Sequence, residues 1–293
     1  MDSTSPEDRR KGLVLALAGI VVLSPESLLI RLVEADRWTI VFWRGLLLAF
    51  GLVGVSAIGS FAGVLRVGKA GCLVAVLFGA QAVLFVTSVT TTTVANTLVA
   101  LSAAPLFAAI YERLLFRNRL SRRMWLILAM AIVGIVVMFG GTIGVDNWSG
   151  NLAGLGAAAG YGAVFVVIHH NRSVSMVPAM GLGGLVAALL VYLWADPLSV
   201  TSADMGYLAL SGLLVLPAAF GLLAIAPRFA PAPEVGLITL LETVLGTLWV
   251  WLAMGENPGG RAIVGGLIVL SAVAANSLLP VRSSELGLAP QEG

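Results

Sequence analysis

Two carboxylates sit where hydrocarbon is expected. Glu26 follows Ser24 and Pro25 in the apolar run Lys11–Val33, and Glu242 lies in LLETVLG, inside the run Pro233–Met254. A charged side chain at the centre of a bilayer costs roughly 2.5–3.5 kcal/mol on insertion scales, so each is a functional candidate by default. Pro25 removes a backbone donor and should kink its helix. The freed carbonyl, Ser24 and Glu26 then lie near one level, where Arg31 or Arg44 can pair with the carboxylate. The functional reading is a gate or substrate contact; the structural one is an ion pair that holds the first two helices. Glu242 has Thr239 one turn before it and Gly246 one turn after it on the same helix face. It can bind a substrate ammonium or carry a proton, because apolar surroundings favour the neutral acid. The plainer reading is a protonated glutamate hydrogen-bonded between helices.

Aromatic and proline positions extend this pathway. Gln81 and Phe85 share a face at i and i+4, as do Tyr161 and Phe165. Faces of this kind can line a cavity and stack or clamp a substrate; ordinary packing competes with that reading. Trp249 and Trp251 are weaker candidates of the same sort. Trp38, Trp43, Trp125, Trp148 and Trp194 fall near helix ends, where amphipathic rings anchor to the membrane interface. Pro25, Pro105 and Pro217 are expected kinks or hinges, and irregular backbone at membrane depth is tolerated where protein or water surrounds it. His169 and His170, the only histidines, fall at the end of their run with Arg172. They read as an interfacial anchor, with a proton relay as the alternative.

The elements that carry these residues follow from composition. Hydrophobic residues make up 59% of the 293-residue chain and charged residues 11%, with mean hydropathy +1.00. Soluble domains carry about 25% charged residues. The fold class is therefore all-α integral membrane, with the lipid bilayer as its solvent. A spanning helix needs about 20 mostly apolar residues. Ten segments meet that ruler: Lys11–Val33, Trp38–Ile58, Lys69–Val89, Thr93–Phe116, Arg122–Thr142, Gly150–His170, Val177–Ala195, Met205–Ala226, Pro233–Met254 and Gly260–Pro280. The first is too long for a secretory signal core and lacks a cleavage motif, so it is expected to stay in the membrane.

Basic residues set the topology. Arg9, Arg10, Lys11, Arg66, Lys69, Arg113, Arg117, Arg119, Arg122, Arg123, Arg172, Arg228 and Arg282 fall on one side, 13 of the 17 Lys and Arg. Asp36, Asp146, Asp196 and Asp204 fall on the other. Both termini are expected in the cytoplasm. The stretch Ala95–Ser121 recurs as Pro233–Pro258, with Pro105 aligned to Thr243. The chain thus divides into residues 1–146 and 147–283, with a cytoplasmic tail at 284–293. Five helices per half is odd, so the halves are inverted repeats, the architecture of alternating access around a midplane site. Gly150/Gly154 and Gly156/Gly160 are small-xxx-small pairs suited to close helix packing, with no dimer implied.

Three stretches carry a family likeness: FWRG (Phe42–Gly45) with FVTSVTTTTVANTLVALSAAPLF (Phe85–Phe107), APRFAPAPEVGLITLLETVLGTLWVWLAMGENP (Ala226–Pro258), and a glycine-rich last helix from Gly265. Together they resemble the drug/metabolite transporter superfamily, in its ten-helix EamA-type branch, and within it amino-acid exporters of the YddG type. Asn118 stands where the family usually has a glutamate after the fourth helix. The resemblance implies a secondary transporter exporting small metabolites, amino acids foremost and aromatic ones among them, across a bacterial inner membrane. Nucleotide sugars, purines and cationic drugs are the alternative cargoes.

Other classes find little support. A net charge of +2 without a basic tract does not suit nucleic acid. One cysteine, Cys72, excludes an internal disulfide, and no metal or cofactor motif is present. Hydrolase, zinc-peptidase and nucleotide-binding motifs are absent, so the chain is read as no enzyme, and nothing resembles a channel filter. The expected partners are lipid, a small-molecule substrate and, where flux is coupled, protons. Monomer and dimer both stay open.

Overall fold

The computed structural model describes residues 6–65, 68–92, 94–117, 121–139, 148–254 and 259–278. All regular elements among them are helical: α1 (Pro6–Leu23), α2 (Glu26–Arg31), α3 (Arg37–Leu65), α4 (Gly68–Thr91), α5 (Val94–Leu101), α6 (Ala104–Phe116), α7 (Arg122–Phe139), α8 (Trp148–His170), α9 (Val177–Val191), α10 (Ser202–Ala209), α11 (Leu216–Ile225), α12 (Ala232–Thr239), α13 (Leu241–Met254) and α14 (Gly259–Leu278). A π-helical stretch, Leu210–Val215, joins α10 to α11, and a 3₁₀ turn, Ala226–Arg228, follows α11.

Six of the resulting rods are long and apolar enough to cross a membrane, by length and composition: Pro6–Ile30, Arg37–Gly54, Gly68–Thr91, Trp148–His170, Ser202–Arg228 and Ala232–Ala253. Val177–Val191 and Ile263–Ala275 are shorter apolar helices. Of the ten expected segments, Thr93–Phe116 is the one most clearly divided, into α5 of 8 and α6 of 13 residues. Neither piece alone reaches the roughly 20 residues a span needs.

The breaks have local causes. Pro25 cannot donate to the carbonyl of Val21, and the Ser24 hydroxyl donates to that oxygen instead (2.8 Å). Pro105 sits in the first turn of α6, where a missing N–H costs least. Pro217 sits in the first turn of α11, directly after the π-helical stretch, which absorbs the register change. The break at Leu240 involves no proline. There the Thr239 hydroxyl donates to the Gly236 carbonyl (2.7 Å), closing α12 on itself.

Packing is tight because small residues let backbones meet. α3 lies along α9, α4 along α8 and α9, α7 along α14, α1 along α11 and α12, and α6 along α8 and α12. A Cβ on Gly184 of α9 would stand 2.6 Å from the Gly45 carbonyl oxygen of α3, so that crossing is a backbone-to-backbone contact. The small residues of α8 serve the same end: Gly160 meets Gln81 of α4, and Gly162 meets the backbone of Ala104 and Ala108 in α6. One core runs through the bundle, with Phe78, Phe165, Ile168, Met180, Leu216 and Leu223 almost wholly enclosed.

Candidate functional site

Polar groups converge where the broken rods meet. Glu26, first residue of α2, is 3% exposed, and Arg44, two turns into α3, is 9% exposed. Arg44 Nε and Nη2 lie 2.8 Å and 2.6 Å from the same carboxylate oxygen, Glu26 Oε1. The other oxygen, Oε2, accepts from the Ser211 hydroxyl of the π-helical stretch at 2.7 Å. One level away, Trp249 Nε1 of α13 donates to Ser24 Oγ at 2.8 Å. Four rods are thereby tied together at the α1–α2 break. Burying both charges is tolerable because each has its partner and a further hydrogen bond shares the load.

Arg44 also lines a small cavity of ≈ 40 Å³ with Gln81, Phe78, Leu48, Leu216 and Phe220 among its walls. Phe78 and Phe220 meet edge to face, with ring centroids 4.9 Å apart. Tyr161 stands beside Phe220 (6.4 Å) and edge-on to Phe165 (5.1 Å). Glu242, in the first turn of α13, lies within the electrostatic reach of both Glu26 and Arg44, and Tyr161 within that of Glu242 and Arg44. Among the described residues the Glu242 carboxyl makes no hydrogen bond. The site therefore holds two carboxylates, one guanidinium, a carboxamide and an aromatic wall.

The positions singled out in the sequence divide around this centre. Ser24, Glu26, Gln81, Tyr161 and Glu242 stand at or beside it. Phe85 does not line the cavity; it packs with Trp38, Phe42, Val41 and Val191, a cluster that adjoins the cavity wall at Val41. Phe165 is core, 1% exposed. The Pro217 ring presses on Gly51 of α3, and its neighbour Leu216 faces the cavity. Thr239 closes α12, so the helical stacking of Thr239 on Glu242 is interrupted at Leu240. Pro105 lies against Gly236, at the crossing of α6 and α12. The side chain of Arg31, together with Arg66, Asn118, Arg119, Asp146, Glu256 and Arg282, lies outside the described residues.

Four contributors had weaker signals. Ser211 is the only hydroxyl between Tyr207 and Arg228, which marks it once the run is read as a membrane helix. Trp249 enters through its indole N–H rather than its ring face. Phe78 and Phe220 look like any core phenylalanine in sequence.

The histidine pair makes specific contacts at the end of α8. His170 Nε2 lies 3.0 Å from Glu112 Oε2, and its ring stacks flat on Phe116 with centroids 3.4 Å apart. His169 Nδ1 donates to the Pro227 carbonyl at 2.7 Å. With Arg9–Glu234 (2.8 Å) and Arg228 Nε to the Arg172 carbonyl (2.6 Å), these contacts knit the basic end of the bundle. Among the described residues no group of three His, Cys, Asp or Glu could hold a metal ion.

The helices and their hydropathy define a multi-pass membrane protein. Residues 148–278 match the EamA-like transporter family, a stretch just short of half the chain. A crystal structure of a protein aligns with 94% of this chain and 99% of its own at TM-score 0.79 and 18% sequence identity, which establishes likeness of fold. None of the curated proteins matches the sequence.

Proposed function

We propose that the chain is an EamA-like secondary transporter that exports small metabolites, amino acids foremost, by alternating access across a bacterial inner membrane. In this reading it has ten spans in two inverted five-helix repeats, with both termini cytoplasmic. The observation that carries it is a small cavity among apolar helices, lined by the buried Arg44 and Gln81 and by aromatic side chains. Such a site binds a polar solute away from lipid, and the family match over residues 148–278 points the same way.

The repeat has support in the helix bounds. A shift of 138 residues carries Val94 to Ala232, Leu101 to Thr239 and Phe116 to Met254, the bounds of α5–α6 and of α12–α13. Packing obeys the same exchange. α8 lies on α4 and α6 as α1 lies on α11 and α12, while α3 with α9 and α7 with α14 pair with each other. In this reading Glu242 takes a substrate ammonium or a coupling proton.

Counterflow in liposomes containing the purified chain tests this. Loaded amino acids should exchange without ATP, and Glu242→Ala should cut the rate at least tenfold while Glu242→Gln separates charge from shape. Absence of flux across amino acids, nucleotide sugars, purines and cationic drugs would sink the transporter reading. Flux indifferent to a collapsed proton gradient would remove protons from the mechanism.

A further inference from the structure

We infer that Arg44 and Gln81 form a carboxylate-binding subsite, so that the cargo of the proposed transporter is a carboxylic acid or an amino acid with a free carboxylate. The inference deepens the proposed function and rests on it only for the word cargo.

The argument starts from what Arg44 leaves unused. A guanidinium presents five N–H donors on one plane. Glu26 Oε1 occupies the edge made by Nε and Nη2 and takes both contacts on one oxygen. Nη1 has no hydrogen-bond partner among the described residues, and the Nη1–Nη2 edge is the other face that suits a bidentate carboxylate. Across the same cavity stands Gln81, only 4% exposed. Its carboxamide also makes no hydrogen bond among the described residues. Buried carboxamides are nearly always bonded, so an unbonded one facing a cavity implies a ligand or water that bonds it. Two unsatisfied donor groups on one cavity, one of them cationic, select an anion with more than one acceptor oxygen.

Size and position agree. The ≈ 40 Å³ space would hold roughly two to three waters, about the bulk of a carboxylate group. The remaining walls, Val41, Leu48, Phe78, Leu216 and Phe220, are apolar and suit the carbon atoms that follow such a group. Glu26 has a definite part here. By holding Nε and Nη2 it fixes the plane of the guanidinium, and Ser211 fixes Glu26 in turn. Glu26 is thus a positioning residue for Arg44, and the pair stays neutral until an anion enters. Glu242, the other acidic side chain in reach, offers an acceptor to an anion that also carries an ammonium.

The test uses the purified full chain in detergent, with benzoate, L-phenylalanine and phenylethylamine as probes. Thermal unfolding is followed by tryptophan fluorescence over a titration of each. Benzoate and L-phenylalanine should raise the midpoint saturably, L-phenylalanine at lower concentration, and phenylethylamine should raise it far less than L-phenylalanine. Arg44→Lys keeps a cation for Glu26 but loses the two-nitrogen edge, and should weaken both carboxylates roughly tenfold or more. Gln81→Leu should weaken them less. Should Arg44→Lys fold poorly, the charge-free pair Glu26→Gln with Arg44→Gln gives the same comparison. A shift by phenylethylamine equal to that by phenylalanine, no shift by either carboxylate, or a shift unchanged in the variants would overturn the subsite. Carboxylate binding that persists in a chain showing no flux would overturn the transporter reading instead, and leave the subsite standing.

Discussion

Two arms of the bundle, α5–α6 and α12–α13, share three of their four helix bounds at a shift of 138 residues, the fourth differing by one residue, and have different chemistry. Each breaks after two turns and continues as a second helix. Each second helix then hooks a rod from the opposite half of the chain. α6 hooks the end of α8 through Glu112 and His170, with Phe116 stacked on the imidazole. α13 hooks the α1–α2 break through Trp249 and Ser24. The first hook is a paired ionisable contact at the basic end. The second is a neutral hydrogen bond beside the Glu26–Arg44 pair. Shape is therefore set by what the arms share, small residues at crossings and a break two turns in. Chemistry is set by what they do not share: Pro105 is the second residue of α6, and Glu242 the second of α13.

The contrast breaks most severely at the charge pair served by the second arm. Glu26→Ala leaves the Arg44 guanidinium buried without its partner and frees the Ser211 hydroxyl. Removing one member of a buried pair costs about 3–5 kcal/mol. The unfolding midpoint of the purified chain should drop sharply, and more than in Glu112→Ala, where the partner His170 is partly exposed and water can replace the lost contact. Equal losses in the two variants would mean the hooks are not chemically distinct.

A middle-sized effect tests whether the first arm is placed by sterics. A Cβ on Gly162 would lie 2.7 Å from the Ala104 carbonyl oxygen and 2.8 Å from the Ala108 nitrogen, both backbone atoms of α6. Alanine in a free helix gains up to about 1 kcal/mol over glycine. Here that gain is outweighed by overpacking, typically about 1–3 kcal/mol. Gly162→Ala should be destabilised on thermal unfolding, whereas Gly206→Ala, with nothing within 4 Å of its added carbon, should be neutral or slightly stabilised. A stabilised Gly162→Ala would show that α6 and α8 do not meet at this spacing.

How far the sequence foretells this depends on range. The apolar runs and prolines give the rods and three of the four breaks, because hydropathy and a missing N–H act locally. The fourth break, at Leu240, carries no such signal, so Thr239 and Glu242 look like neighbours on one helix and are not. Glu26 and Arg44 are legible as charges in need of partners, since hydrocarbon leaves them few options. Their third partner, Ser211, is 185 residues from Glu26. Its role depends on which rods touch, and one chain's periodicity does not encode that. The same holds for Phe85, which shares a helix face with Gln81 in sequence. In the bundle it packs among residues of α3 and α9 and does not line the cavity.

The smallest expected effect bears on the second hook alone. Trp249→Phe keeps a ring and removes the indole N–H that reaches Ser24. The lost bond is neutral and half-buried, worth about 0.5–1.5 kcal/mol net. Ser24 keeps its own bond to the Val21 carbonyl, so no hydroxyl is stranded. Stability should therefore fall only slightly, and the Glu26–Arg44 pair should persist. Flux is the more sensitive readout. If α13 steers the α1–α2 break during exchange, releasing it should change the counterflow rate several-fold with little change in the unfolding midpoint. Ser24→Ala removes the same contact together with the bond to the Val21 carbonyl, so it should reproduce the change in flux, and the double variant should alter flux no further than Ser24→Ala alone. Additive losses would show that Trp249 and Ser24 act through separate partners, and the likeness between the two hooks would then end at their geometry.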